Sequence, residues 1–290
     1  MRSLLFVPAT APDKLAKAMG SGADAVIVDL EDSVAADAKQ AGRAAMTAFV
    51  TARAAETARP RLFVRINGYA TGLADADLDA AVAAGADGIM LPKAGGGPDI
   101  TRLDAKIAVA EAVHGVAEGR TAILAIVTET AHAVFQTGTY RGASRRLAGM
   151  AWGAEDLSAD LGATTARGAD GEYLDAFRLA RTLTLLGAVA ADCAPIDGVF
   201  TDFRDLDGLK ADCAAAARDG FTAKMAIHPA QIAVINTAFT PSEADVAEAS
   251  RIVAAFAAAG DPGVLALDGV MLDRPHLMRA RRLLARAGRA

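Results

Sequence analysis

Eight short apolar runs recur along this chain, at residues 2–8, 25–32, 61–67, 88–93, 122–129, 147–156, 195–202 and 223–229. Most are continuously apolar rather than alternating. Parallel strands covered on both faces read that way. The stretches between them are long enough for crossover helices. Residues 13–19, 75–84, 103–117, 173–190 and 206–218 carry apolar side chains at helical spacing. Several of these stretches end in a glycine-containing stop: Gly22-Ala23-Asp24, Gly85-Ala86-Asp87 and Asp219-Gly220. Glycine just past a helix end is expected C-cap chemistry. Eight strand–helix repeats point to an α/β fold of the TIM (β/α)8 barrel kind. An open doubly wound sheet fits the same runs, because a sequence does not show closure.

The repeats occupy residues 1–230. Residues 231–290 form a C-terminal helical and hairpin extension. Ser242 is placed to N-cap a helix that runs to Ala259, and 260–263 is a turn. Residues 264–273 read as strand, turn, strand. Residues 275–287 read as a basic amphipathic helix carrying Arg279, Arg281, Arg282 and Arg286. This segment is small for an independent domain. It is expected to act as a lid or arm on the barrel or on a neighbouring subunit.

Composition excludes several classes. The net charge is −5, aromatics are 5% of the chain, and no basic stripe is present, so no nucleic-acid partner is expected. No run approaches the roughly 20 apolar residues of a membrane span. The first apolar run stops at Pro8 and reads as a strand rather than a signal segment. The only two cysteines, Cys193 and Cys213, have no CxxC spacing, which fits a reduced, cytoplasmic setting.

In a (β/α)8 barrel the reacting groups sit at the C-terminal ends of the strands. Here nearly every apolar run ends in polar residues: Glu31 and Asp32, Arg65 and Asn67, Lys93, Glu129, Glu155 and Asp156, Asp202, and His228. In a closed barrel these converge on one mouth. Asp32, Lys93 and Asp202 fit a helix-capping role equally well. Carboxylates dominate the set, with no HExxH motif and no cysteine cluster. Oxygen ligands for a hard cation follow more naturally than a zinc site. Glu129 and Asp156, on adjacent strand ends, suit Mg2+, with Mn2+ as the alternative. Such an ion would chelate a 2-oxo acid as a Lewis acid, and Arg65 would stabilise an enolate oxygen. Alternatively, one of these acids pairs with Arg65.

The chain also resembles a known family. The stretches RSLLFVP (2–8), DAVIVDLEDSV (24–34), VRING (64–68), LPK (91–93), ETA (129–131), GAEDLSADLG (153–162), AIHPAQI (226–232), FTPS (239–242) and DGVMLDRPH (268–276) run in family order. They are similar to the citrate lyase β-subunit-like proteins of the HpcH/HpaI aldolase superfamily, which includes malyl-CoA and citramalyl-CoA lyases. The resemblance implies a TIM barrel with a C-terminal extension. It implies Glu129 and Asp156 as Mg2+ ligands, Arg65 as the substrate and enolate contact, and Glu31 and Asp32 as a supporting acidic pair. It implies Asp273 as an acid/base delivered over a neighbouring subunit's barrel mouth. The partners it implies are acyl-CoA and 2-oxo acid substrates and further copies of the chain, as a trimer or larger assembly.

Three features depart from the family pattern. Ala9 follows Pro8 where glycine is common. No glycine closely follows Glu129-Thr130-Ala131. The loop 94–98 after LPK lacks an acidic residue and reads as a flexible glycine-rich loop. The function expected is reversible Claisen-type cleavage of a 3-hydroxyacyl-CoA of the malyl, citramalyl or citryl type to acetyl-CoA and a 2-oxo acid. The alternatives are a citrate lyase β-subunit acting on a carrier-protein thioester, and a free-aldehyde pyruvate aldolase. His132 and His228 carry no assigned role; a capping or surface place fits His132, and a structural one fits His228.

Overall fold

A computed structural model describes residues 1–289. Eight strands, β1 (Ser3–Pro8), β2 (Ala25–Asp29), β3 (Arg61–Arg65), β4 (Gly88–Leu91), β5 (Ala122–Ile126), β6 (Leu147–Ala151), β7 (Ala194–Asp197) and β8 (Ala223–Ala226), close in sequence order into a barrel. Every pairing is parallel, and β1 bonds to β8 through Ser3, Leu4 and Leu5. The helices are α1 (Pro12–Ala18), α2 (Lys39–Thr51), α3 (Ala74–Ala83), α4 (Gly97–His114), α5 (Ala131–Val134), α6 (Ala154–Leu161), α7 (Asp175–Ala190), α8 (Leu206–Asp219) and α9 (Ile232–Phe239). The open-sheet alternative is therefore excluded.

Packing explains why the strands read as continuous apolar runs. Ile27, Phe63, Met90, Leu124, Ile196 and Met225 gather in one buried cluster. Their chain neighbours Val26, Val28, Val64, Ile89 and Ile123 are just as buried on the opposite face. Gly88 is where the cluster admits no side chain, because a Cβ there would lie 2.3 Å from the Phe63 ring.

The strands are shorter than the sequence runs. Glu31, Asp32, Glu129, Asp202 and His228 lie just past their strands, and Glu155 and Asp156 belong to the first turn of α6. Four helices were not expected: α2, α6 and the short α5 and α9. α2 has no side-chain N-cap and no acid in its first turn, so it carries no local start signal. Burial of Met46, Phe49 and Val50 holds it instead. The glycine-rich loop 94–98 is pinned rather than free. Gly95 N–H donates to Asp99 Oδ2 at 2.8 Å, and Gly97 N–H donates to Thr139 Oγ1 at 2.8 Å.

The β7–β8 pairing is short, with only Ile196↔Ala223 and Asp197↔Lys224 in register. Buried charge reinforces this seam on the helix side. Lys224 Nζ donates to Asp197 Oδ2 at 2.9 Å and to Asp212 Oδ2 of α8 at 2.7 Å. Asp197 Oδ1 accepts from Trp152 Nε1 at 2.7 Å and from Arg181 Nε of α7 at 3.0 Å. Burial pushes the Asp197 carboxyl up, but Lys224 and Arg181 outweigh it and hold the group at about 2.

The chain divides into two compact units, Met1–Asn236 and a second beginning at Thr237. In the second, α10 (Glu243–Ala258) is N-capped by Ser242 in a capping box with Asp245. Strands β9 (Val264–Leu267) and β10 (Val270–Asp273) form an antiparallel hairpin. Asp268 and Gly269, at φ 51° and 79°, make its turn, as an Asp-Gly pair favours. Helix α11 (Arg274–Arg286) packs Ala280 and Leu284 against Val246 and Ala249, and Leu277 against Phe256 and Leu272. Among the described residues no helix is long and apolar enough to cross a membrane.

Candidate active site

The barrel mouth gathers two cations and five carboxylates. Arg65, ending β3, sits opposite Asp29, ending β2, in the strand register. Its Nε and Nη2 each donate to one Asp29 oxygen at 2.7 Å. Its Nη1 lies 2.9 Å from Glu31 Oε2 and 3.9 Å from Asp32, and its guanidinium stacks over the Phe6 ring at 4.8 Å. The Glu31 contact is close but poorly aligned as a hydrogen bond. Burial pushes the Asp29 carboxyl up, yet the Arg65 bonds win and hold it below the ordinary carboxylate range. The fork of Arg65 is thus locked in orientation, leaving N–H groups on Nη1 and Nη2 for another oxygen.

Lys93, just past β4, has φ 51°, a left-handed conformation that few non-glycine residues adopt. Its backbone N–H donates to Glu129 Oε2. Its ammonium contacts Glu31 Oε1, and lies 3.4 Å from Asp32 Oδ2 and 3.1 Å from Asp156 Oδ1.

Glu129 follows β5 and is 2% exposed. Burial, only partly offset by the Lys93 N–H bond and aggravated by Asp156 and Glu31, raises its carboxyl to about 8. No cation pairs with it among the described residues. Gly153, at the start of α6, lies against it, and a Cβ there would sit 3.0 Å from Glu129 Cγ. A buried acid facing a second acid is short of positive charge. A hard cation bound by oxygens would supply that charge.

Arg65, Glu31, Asp32, Glu129 and Asp156 therefore meet at one mouth with Lys93. Asp29 and Glu31 take Arg65, which leaves Glu129 and Asp156 unpaired with it. Asp29 was missed by sequence reading. Aligning the ends of β2 and β3 would have found it, because its carboxylate faces Arg65 across one rung. Other polar strand-end residues do local work. Asn67 Nδ2 donates to Leu30 O at 3.1 Å and Asp77 Oδ2 at 2.6 Å. Asp202 accepts from Arg204 N–H at 3.1 Å in a turn. His228 Nδ1 accepts from Ala230 N–H at 3.2 Å, and its ring stacks on Phe203 at 4.6 Å. His132 is exposed on α5.

Asp273 belongs to the second unit, where it N-caps α11. Its Oδ1 lies 2.5 Å from His276 Nδ1 and accepts from His276 N–H at 3.4 Å. The His276 bond holds its carboxyl below the ordinary range.

The HpcH/HpaI aldolase/citrate lyase family pattern matches residues 2–229. The chain belongs to the HpcH/HpaI aldolase/citrate lyase family. A second pattern, for carbon–carbon bond lyases of the TIM-barrel fold, matches residues 175–289. The (3S)-malyl-CoA thioesterase of Cereibacter sphaeroides is 36% identical over 292 residues, covering 99% of this chain and 94% of that protein. The L-malyl-CoA/beta-methylmalyl-CoA lyase of Rhodobacter capsulatus is 33% identical over 303 residues, covering 99% and 94%. The crystal structure of the Mycobacterium tuberculosis protein CitE in complex with magnesium, acetoacetate and coenzyme A superposes with a TM-score of 0.76 at 35% identity. It covers 99% of this chain and 98% of that one. These family relations make the chain a lyase.

Proposed function

We propose that this chain is a Mg2+-dependent carbon–carbon lyase that reversibly cleaves a 3-hydroxyacyl-CoA to acetyl-CoA and a 2-oxo acid. The observation that carries this reading is the buried Glu129 carboxyl facing the half-buried Asp156 beside a locked arginine. It is the donor set of a hard-cation site next to an oxyanion-stabilising group. Glu129 and Asp156 would hold the ion, which supplies Lewis acidity toward the keto and carboxylate oxygens of the 2-oxo acid. The remaining N–H groups of Arg65 bind the thioester oxygen and receive the charge that builds there. In the condensing direction the Asp273 carboxylate of a neighbouring copy takes a proton from the methyl carbon next to the thioester. The resulting enolate carbon attacks the keto carbon, and the former keto oxygen takes up a proton to become the 3-hydroxyl. In the cleaving direction that hydroxyl gives up its proton as the carbon–carbon bond breaks, and Asp273 returns a proton to the enolate carbon. The oligomer this requires is at least a closed ring of copies.

Gly153→Ala probes the ion site gently. The new methyl group presses on Glu129 Cγ. Mg2+ affinity is expected to fall about tenfold with little change in melting temperature, as calorimetric titration with MgCl2 would show.

A second reading is hydrolysis of the same thioester, favoured by the full-length similarity to a malyl-CoA thioesterase. Product identity separates the two. Incubation with malyl-CoA, followed by hydrazine trapping of carbonyl products and thiol detection of free CoA, should yield glyoxylate and acetyl-CoA. Malate and free CoA without glyoxylate would replace the lyase reading with the hydrolase one.

A further inference from the structure

Lys93 touches both proposed ligands with different ends. Its main-chain N–H is bonded to Glu129, and its ammonium is ion-paired with Asp156 at 3.1 Å. The same ammonium contacts Glu31 and lies 3.4 Å from Asp32. The residue adopts this position through a left-handed backbone at φ 51°. That conformation is unfavourable for a side-chain-bearing residue and persists where surrounding bonds over-determine it. Here the Glu129 bond does so.

The two cations of the mouth differ in kind. Arg65 is fixed by a bidentate bond to Asp29 and is 12% exposed at the side chain. Lys93 is a point charge on a flexible four-carbon stem, 36% exposed, with no planar fork to lock it. An ammonium so placed satisfies three carboxylates that would otherwise repel one another. It also stands on the carboxylate that a metal must use.

We propose that Lys93 is a place-holding cation: it keeps Glu31, Asp32 and Asp156 gathered in the metal-free chain and is displaced from Asp156 when Mg2+ loads. This rests on the reading of Glu129 and Asp156 as the metal ligands. The main-chain bond to Glu129 lets the ammonium swing while the backbone stays anchored. The displaced ammonium keeps Glu31 and Asp32 as partners, so its charge is not stranded. Lys93 is then a positioning residue whose charge sets the metal concentration at which the site fills. The carboxylate cluster is assembled before the ion arrives, and no rearrangement of β4 is needed.

The test is calorimetric titration of metal-free full-length protein with MgCl2, for wild type, Lys93→Met and Lys93→Arg. Lys93→Met keeps the apolar stem and removes the competitor, so its Kd for Mg2+ should fall about tenfold or more below wild type. Lys93→Arg keeps the charge in a group that pairs more tightly with carboxylates, and its Kd should equal or exceed wild type. A Lys93→Met Kd equal to or weaker than wild type would overturn the proposal and leave Lys93 a structural brace. A second measurement needs no variant: acetylation of wild-type lysines, read by mass spectrometry with and without MgCl2. Lys93 should be modified several-fold faster with Mg2+ present, and an unchanged or slower rate overturns the proposal. If wild type takes up no Mg2+ at all, the metal assignment itself fails and the place-holder role fails with it. If wild type binds Mg2+ and Lys93→Met binds it no tighter, only the place-holder role fails.

Discussion

Glu129→Gln is expected to lower Mg2+-dependent turnover by roughly 10³-fold and to abolish the Mg2+ titration heat. Glutamine matches glutamate in shape and keeps a carbonyl oxygen for the Lys93 N–H bond, so the backbone at φ 51° remains held. It lacks the charge that a divalent ion requires beside Asp156. Stability should move the other way. Glu129 is 2% exposed, and burial raises its carboxyl to about 8, so the folded state disfavours the ionised form. An acid raised in the folded state adds no cost below its unfolded pKa of about 4.3. Its cost then grows as pH rises toward 8. Metal-free Glu129→Gln should therefore melt above metal-free wild type at neutral pH and level with it near pH 4. Addition of MgCl2 should raise the melting temperature of wild type only. Thermal scans at the two pH values, with and without MgCl2, check each part.

Lys224→Met is expected to destabilise the barrel by about 3–5 kcal/mol, because it strips the countercharge from the buried Asp197 and the half-buried Asp212 rather than removing the whole group. Asp197 is 1% exposed and fastens the β7–β8 seam, whose ladder spans only two residue pairs. Arg181 still pairs with Asp197, and Arg167 Nη2 still reaches Asp212 at 3.1 Å, so collapse should stop short of complete unfolding. Adding Asp197→Asn to Lys224→Met should recover part of the loss, since a neutral amide needs less compensation. The same group sets an acid limit. Asp197 is held at about 2 when folded, against about 3.9 unfolded. The unfolded chain binds more protons between these values, so the stability Asp197 gives is complete above about pH 4 and lost as pH falls through 2. Urea titrations from pH 2 to 7 should show that loss in wild type and a weaker one in Asp197→Asn.

Local rules made part of this molecule legible and hid the rest. Barrel strands announce themselves because both faces are buried, as with Val26, Ile27 and Val28 in β2. The Asp268-Gly269 hairpin and the Ser242 cap follow from short-range turn and cap chemistry. The mouth was visible as polar residues ending apolar runs, which placed Arg65, Glu31, Asp32, Glu129 and Asp156 near one another. Asp29 was hidden because its importance lies in cross-strand register with Arg65, a non-local property. Asp156 was assigned to a strand although it lies in α6, because the run 147–156 stays apolar through Trp152 and shows no break. Lys224 went unnoticed because one charge inside an apolar run reveals neither that it faces the helices nor that Asp212 waits there. Helix α2 lacks capping signals and is held by packing that periodicity alone does not reveal.

The most direct test of the lyase account is a turnover assay on malyl-, citramalyl- and citryl-CoA, each with MgCl2 and after its removal by chelation. The account predicts acetyl-CoA and the matching 2-oxo acid from at least one thioester, lost on chelation and restored by Mg2+. No Mg2+-dependent carbon–carbon cleavage of any of the three would contradict it.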